Sequence, residues 1–163
     1  MAYLEAPDNS LALHGKMPSL FLAGGITGCK DWQSAVSTLI GDEQILTVNP
    51  RRAEWPENET AAVRQQIEWE HWWLRRCDAV LFWFPDGPVQ PIALYELGCW
   101  SNTDKPMAVG ADPTYVRRFD VKHQTRLVRP EQTVHSGLGA TLAEAIEKVY
   151  DAYEENVKRG RYE

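Results

Sequence analysis

Short apolar runs alternate along this chain with segments whose apolar residues recur at helical spacing. That alternation confines it to βαβ units stacked into a mainly parallel sheet. The runs at residues 19–23, 45–48, 79–84, 105–109 and 126–128 predict five strands, the third being the most continuously apolar. Between them, Asp31 is placed to cap a helix reaching about residue 40, and Thr60 opens a long helix reaching about residue 76. Pro91 suits the first position of a third helix, where its missing N–H costs nothing. A last helix runs from about residue 138 to 155. Residues 1–17 lack periodicity and read as an N-terminal arm with scope to be mobile, leaving residues 18–163 as one domain. With 163 residues, 44% hydrophobic content and seven Trp, a single α/β sandwich has enough material for a sizeable core.

Charge narrows the partners. A net charge of -6 and no sustained Lys/Arg run argue against polymeric nucleic acid or an anionic membrane surface, which leaves a small molecule. No apolar run approaches membrane-spanning length and no leader pattern opens the chain, so a cytoplasmic location is expected. Cys29, Cys77 and Cys99 are odd in number and lack the spacing of a metal knuckle or disulfide framework; they read as reduced core thiols. The four His are equally scattered, and no metal site is expected.

Two acids stand out against this background. Glu96 has Ile92, Ala93, Cys99 and Trp100 as its neighbours three and four residues away on the third helix. A carboxylate on such a face is costly to bury and gains proton affinity, unless it reaches solvent or pairs with a distant Arg. On the long helix, Val63, Ile67, Glu70, Leu74 and Cys77 recur at helical spacing, so Glu70 interrupts an apolar stripe. Trp69, Trp72 and Trp73 beside it read as core or subunit interface. Parallel sheets bind ligands beyond the carboxyl ends of their strands. Gly24, Gly25 and Ile26 lie at one such end, and the 85–90 loop with Asp86 and Gln90 at another. Two carboxyl groups facing one cleft suit cleavage of a glycosidic bond, although a nucleotide pocket without catalysis uses acids as hydroxyl acceptors too.

The motifs LFLAGGIT, EWEHWWLRRCDAVLFWF and PIALYELGCW followed by DKP resemble the nucleoside 2-deoxyribosyltransferase superfamily over roughly residues 18–110. The GGIT start, the NPRR loop and the P-I-x-L-x-E-L-G helix look closest to a branch associated with phages and bacteria. The resemblance implies a flavodoxin-like three-layer fold with a five-stranded parallel sheet, and a homo-oligomer. It places Glu96 as the nucleophile at C1′ of a deoxyribose and Glu70, where the family more often has Asp, as the acid/base at the leaving base. Asp78 matches a strand-opening Asp, read as structural. Asn49, Arg51 and Arg52 lie in the loop after the second strand, placed for base or phosphate contacts, although an Arg-Arg pair on a surface loop is usually just solvated, and no cofactor is implied.

Two positions depart from the family pattern. Phe21 stands where a Tyr usually orients the nucleophile, and Gln90 stands where Asp in the transferases or Ser in nucleotide N-hydrolases meets the sugar's 5′ side. The resemblance also implies a residue donated by a neighbouring subunit; Asn156 is the candidate considered. The acidic face of the last helix, Glu144, Glu147, Asp151, Glu154 and Glu155, reads as solvated. Three functions therefore remain: deoxyribosyl transfer between nucleobases through a glutamyl intermediate, hydrolysis of 2′-deoxynucleoside 5′-monophosphates, and nucleotide binding or sensing without catalysis.

Overall fold

Six consecutive buried residues, Ala79–Phe84, form the central strand, so both faces of the sheet must be covered by helices. The structure, a computed structural model, describes residues 2–54 and 59–162. The element order is β1 (Ala2–Glu5), β2 (Ser19–Gly24), α1 (Trp32–Ile40), β3 (Leu46–Asn49), α2 (Glu59–Arg76) and β4 (Ala79–Phe84). It continues with α3 (Pro91–Ser101), β5 (Met107–Ala111), α4 (Arg118–Val128), β6 (Val134–His135) and α5 (Leu138–Lys158).

The strands pair in parallel in the order β1-β3-β2-β4-β5-β6. From β3 to β6 this is the flavodoxin-like doubly wound order, with β1 added at the β3 edge. Alternation along the strands divides the core. Phe21, Val80, Phe82 and Met107 pack with Trp69 and Trp73 of α2, Leu97 of α3 and Val121 of α4, while Leu20, Leu81 and Trp83 pack with Trp32 and Val36 of α1 and with Leu142 and Val149 of α5.

The sheet thus has six strands rather than five. The additional one lies inside the segment read as an arm: Ala2–Glu5 pairs residue by residue with Leu46–Asn49, using edge hydrogen bonds that carry no periodic signature. Residues 126–128, expected as a strand, are instead the last turn of α4, where the buried Val121 and Thr125 sit four apart on a helical face and Leu127 is exposed. The strand after α4 is the two-residue β6. Of the three thiols, all free, only Cys77 is in the core; Cys99 is exposed and Cys29 is half-buried.

Asp78 locks the opposite end of the sheet from the strand carboxyl termini. Its carboxylate accepts from Ser19 N at 2.9 Å, Ser19 Oγ at 2.7 Å, Asn156 Nδ2 at 2.7 Å and the Tyr162 hydroxyl. In this chain Asn156 is therefore committed to joining α5 to the sheet. Asp78→Ala strands the buried Ser19 N–H and removes an anchor of α5. It is expected to lower unfolding stability by about 3 kcal/mol in denaturant titrations.

Candidate functional site

The cleft opens where the strand order reverses, between the carboxyl ends of β2 and β4. Gly24 ends β2 at φ +151°, and a Cβ there would lie 2.0 Å from Trp83 O, so only glycine lets the chain leave the sheet this close to β4. A Cβ on Gly25 would lie 2.7 Å from Gln90 Cδ and 2.8 Å from Cys29 Sγ. Its bareness lets the Gln90 side chain settle against the backbone. Asp31 caps α1 by accepting from Ser34 N at 3.0 Å, and Trp32 Nε1 returns to Gly25 O at 2.8 Å, which fixes the loop around residues 24–31.

The space enclosed is about 340 Å³. Its walls include Phe21, Gly24, Ile26 and Thr27 on one side, Gln66, Ile67 and Glu70 of α2 on another, and Gln90, Ile92 and Glu96 at α3. Glu70 and Glu96 also border an adjoining groove of about 530 Å³ between α2 and α3, with His71, Arg75, Tyr95 and Cys99. The apolar stripe on α2 divides between two surroundings. Leu74 of the stripe is buried, as are Ala62, Gln66, Trp69 and Trp73 among the described side chains of α2, whereas Val63 and Ile67 form the cleft wall, Ile67 being 59% exposed. Ile92, one turn before Glu96, is 64% exposed in the same way. Glu96 is thus half-buried on the wall of a cleft rather than sealed in the core.

Electrostatics separate the two acids. Burial, and next the charge of Glu70, push the Glu96 carboxyl from the usual 4.5 up to about 8. Glu70 is also raised by burial, but a hydrogen bond from Gln66 and the Arg52 charge pull against it. Glu96 accepts no hydrogen bond from the described residues, and Phe21, packed 6.1 Å from the Trp69 ring, offers it no hydroxyl.

The other candidates divide. Phe21, Gly24, Ile26 and Gln90 line the cleft with the two acids. Gln90 is 6% exposed; its Nε2 donates to Pro88 O at 2.7 Å and lies 3.4 Å from Cys29 Sγ, while its Oε1 has no partner among the described residues. Gly25 stands behind it. Asn49 binds the Tyr3 hydroxyl at 2.6 Å and accepts from Arg51 N at 2.9 Å, tying β1 to β3. Arg51 turns away to Gln33 Oε1 at 3.0 Å, to the carbonyls of Ile26 and Lys30, and to Asp31 at 3.4 Å. Asp86 is exposed and outside the lining. Sequence reasoning passed over Gln66, whose only signal was its position four residues before Glu70. On α5, Glu144 is not simply solvated: it bonds His135 Nε2 at 2.8 Å and Lys148 at 2.7 Å.

Fold and cleft together define a doubly wound α/β protein with a carboxylate pair at its topological switch point. The chain belongs to the family described as nucleoside 2-deoxyribosyltransferase like, whose model matches residues 17–115. No curated protein matches it. Among the described residues there is no group of side chains suited to a metal ion, and no helix is long and apolar enough to cross a membrane.

The raised Glu96 carboxyl has a consequence for stability. The folded chain holds a proton between pH 4.5 and about 8 that the unfolded chain releases. The stabilisation is therefore complete below 4.5 and is lost as pH rises through about 8. Glu96→Gln carries no charge to bury. Thermal melts are expected to show it more stable than wild type at pH 9 by about 1–2 kcal/mol, allowing for solvent contact, and equal to wild type near pH 4.

Proposed function

We propose that the protein cleaves the N-glycosidic bond of 2′-deoxynucleosides and transfers the deoxyribosyl group to another nucleobase, with Glu96 as nucleophile and Glu70 as acid/base. The observation carrying this reading is that both acids face one apolar-walled cleft at the strand switch point, where burial raises the proton affinity of each and the charge of Glu70 adds to that of Glu96. The ionised Glu96 carboxylate bonds to C1′ as the C1′–N bond breaks. The departing base keeps that electron pair and takes a proton from Glu70. A second base then attacks C1′, gives its proton back to Glu70 and frees Glu96. Val63, Ile67 and Ile92 limit water at the ester, which favours transfer over hydrolysis.

The cation inventory favours a nucleoside over its 5′-monophosphate. Arg51 is consumed by the loop it braces, and Arg52, though in the cleft wall, donates to Gln66 and Gln65. The unpartnered acceptor on Gln90 suits a hydroxyl donor, and a phosphate brings none. One observation favours binding without turnover instead: no described side chain donates a hydrogen bond to orient Glu96. A cytoplasmic location and a homo-oligomer accord with this reading.

Two measurements test it. Incubation of the protein with a deoxynucleoside and a second free base is expected to give the exchanged nucleoside and, by intact-protein mass, a sugar adduct absent from Glu96→Ala. Deoxynucleosides should exceed their 5′-monophosphates in kcat/KM by at least about tenfold. Binding with no product from either class would leave the non-catalytic reading. Attack needs Glu96 ionised while Glu70 holds the pair's proton, so kcat/KM is expected to fall as pH rises through about 8, where the pair loses its last proton. Glu70→Gln, which removes both the acid and the neighbouring charge, should turn that fall into a rise with a lower midpoint while slowing substrates with poor leaving bases most. An unchanged midpoint would separate the two acids.

A further inference from the structure

Gln66 lies one helical turn before Glu70, is only 7% exposed, and still reaches the cleft wall. Its Nε2 donates to Glu70 Oε1 and to Pro50 O, both at 2.7 Å, and its Oε1 accepts from Arg52 Nε at 2.6 Å. The amide has a single workable orientation. Flipped, it would set an oxygen against the Pro50 carbonyl and the Glu70 carboxylate, and an NH2 group against the Arg52 donor. Arg52 is itself steadied by Gln65 Oε1 at 3.0 Å. A permanently charged guanidinium is thereby linked through a buried amide to one oxygen of Glu70. The other Glu70 oxygen has no described partner.

We propose that Gln66 is a positioning residue for glycosidic cleavage: anchored by Arg52, it holds Glu70 by Oε1 and leaves Oε2 to hand its proton to the departing base. The inference rests on the reading of Glu70 as the acid. In that step the Oε2–H bond breaks, the base nitrogen takes the proton, and Glu70 is left with a full negative charge. The Gln66 N–H meets that charge where it develops, in a site shielded from water. The other charged groups around Glu70 are Glu96 from α3, Arg52 from the loop after β3, and His71 and Arg75 farther along α2 on the adjoining groove. Gln66 therefore acts against the cost of burying the Glu70 charge, keeping the ionised form of Glu70 accessible.

The test uses the full chain with Gln66→Met, which keeps length and bulk but cannot donate. Carbon-13 NMR titration of the Glu70 carboxyl, which needs no turnover, is expected to move up by about one pH unit, since a hydrogen bond to a charged acceptor is worth about tenfold or more in equilibrium. In kinetics, kcat should fall about tenfold with KM nearly unchanged, most for poor leaving bases. The double variant with Glu70→Gln should lose little beyond Glu70→Gln alone. Arg52→Met, one link further out, should move the Glu70 titration in the same direction by less, and it serves if Gln66→Met does not fold. An unmoved Glu70 titration, or losses that multiply in the double variant, would overturn the proposal. A wild-type protein that turns over no nucleoside would instead refute the proposed function, and the titration alone would then decide the Gln66 link.

Discussion

Pairing of β2 with β4 deep inside the sheet is the constraint on which the site depends. Both strands are buried on both faces, so the crossovers that join them must run over opposite sides, and the order of strands reverses between them. A gap at their carboxyl ends follows from that topology, because the loops leaving β2 and β4 diverge. Gly24 and Gly25 then narrow the gap by bringing the first loop against β4 and Gln90. Asp78 secures the other end of the same pair by joining Ser19 at the start of β2 to α5.

The cleft holds two acids that a stability criterion alone would remove. Neither is neutralised by a direct ion pair among the described residues, and the apolar walls raise the proton affinity of both. The asymmetry between them comes from their neighbours. Glu70 has an amide and, behind it, a guanidinium, while Glu96 has only the like charge of Glu70. Two chemically identical groups are thus driven apart in proton affinity by one hydrogen-bonded link. In the free protein that division leaves the pair's proton on Glu96, and the proposed chemistry requires it to pass to Glu70 before Glu96 attacks.

Much of this was legible in the sequence, and the failures have physical causes. The strands at 79–84 and 19–23 announced themselves because full burial leaves only Ser19 polar in them, and the Asp31 cap and Pro91 start are local signals read by local rules. The edge strand β1 escaped because its stability comes from pairing with β3, a long-range interaction with no periodic mark. The 126–128 segment misled because three residues cannot distinguish a strand from a helical turn. Glu70 and Glu96 were visible as charges on apolar stripes, though the stripes proved to be partly cleft wall, since an apolar residue facing a ligand space has the same spacing as one facing a core. Arg51 was invisible as a brace: that its guanidinium satisfies carbonyls of residues 26 and 30 depends on how a distant loop folds.

The absence of a hydroxyl at position 21 shifts the burden of aiming Glu96 onto the helix that carries it. Helix α3 is held along its inner face by Ala93 and Leu97 in the core. At its far end, Arg129 donates to the carbonyls of Ser101 at 2.9 Å, Trp100 at 3.2 Å and Lys105 at 3.0 Å, and to that of Thr103. The Trp100 and Ser101 carbonyls sit at the carboxyl end of the helix, where backbone acceptors lack partners and the dipole favours a cation, and those of Thr103 and Lys105 lie in the loop that follows. A guanidinium is suited to gather several of them at once. The position of Glu96 is then set by the rotation of a rigid rod pinned at two places, and its carboxylate keeps all its acceptor capacity for a ligand. A hydroxyl partner would orient the acid more tightly, but it would also stabilise the ionised form and lower its nucleophilicity. The Phe21 side chain leaves Glu96 with the higher proton affinity, which under the proposed mechanism makes its carboxylate the stronger nucleophile once it is ionised.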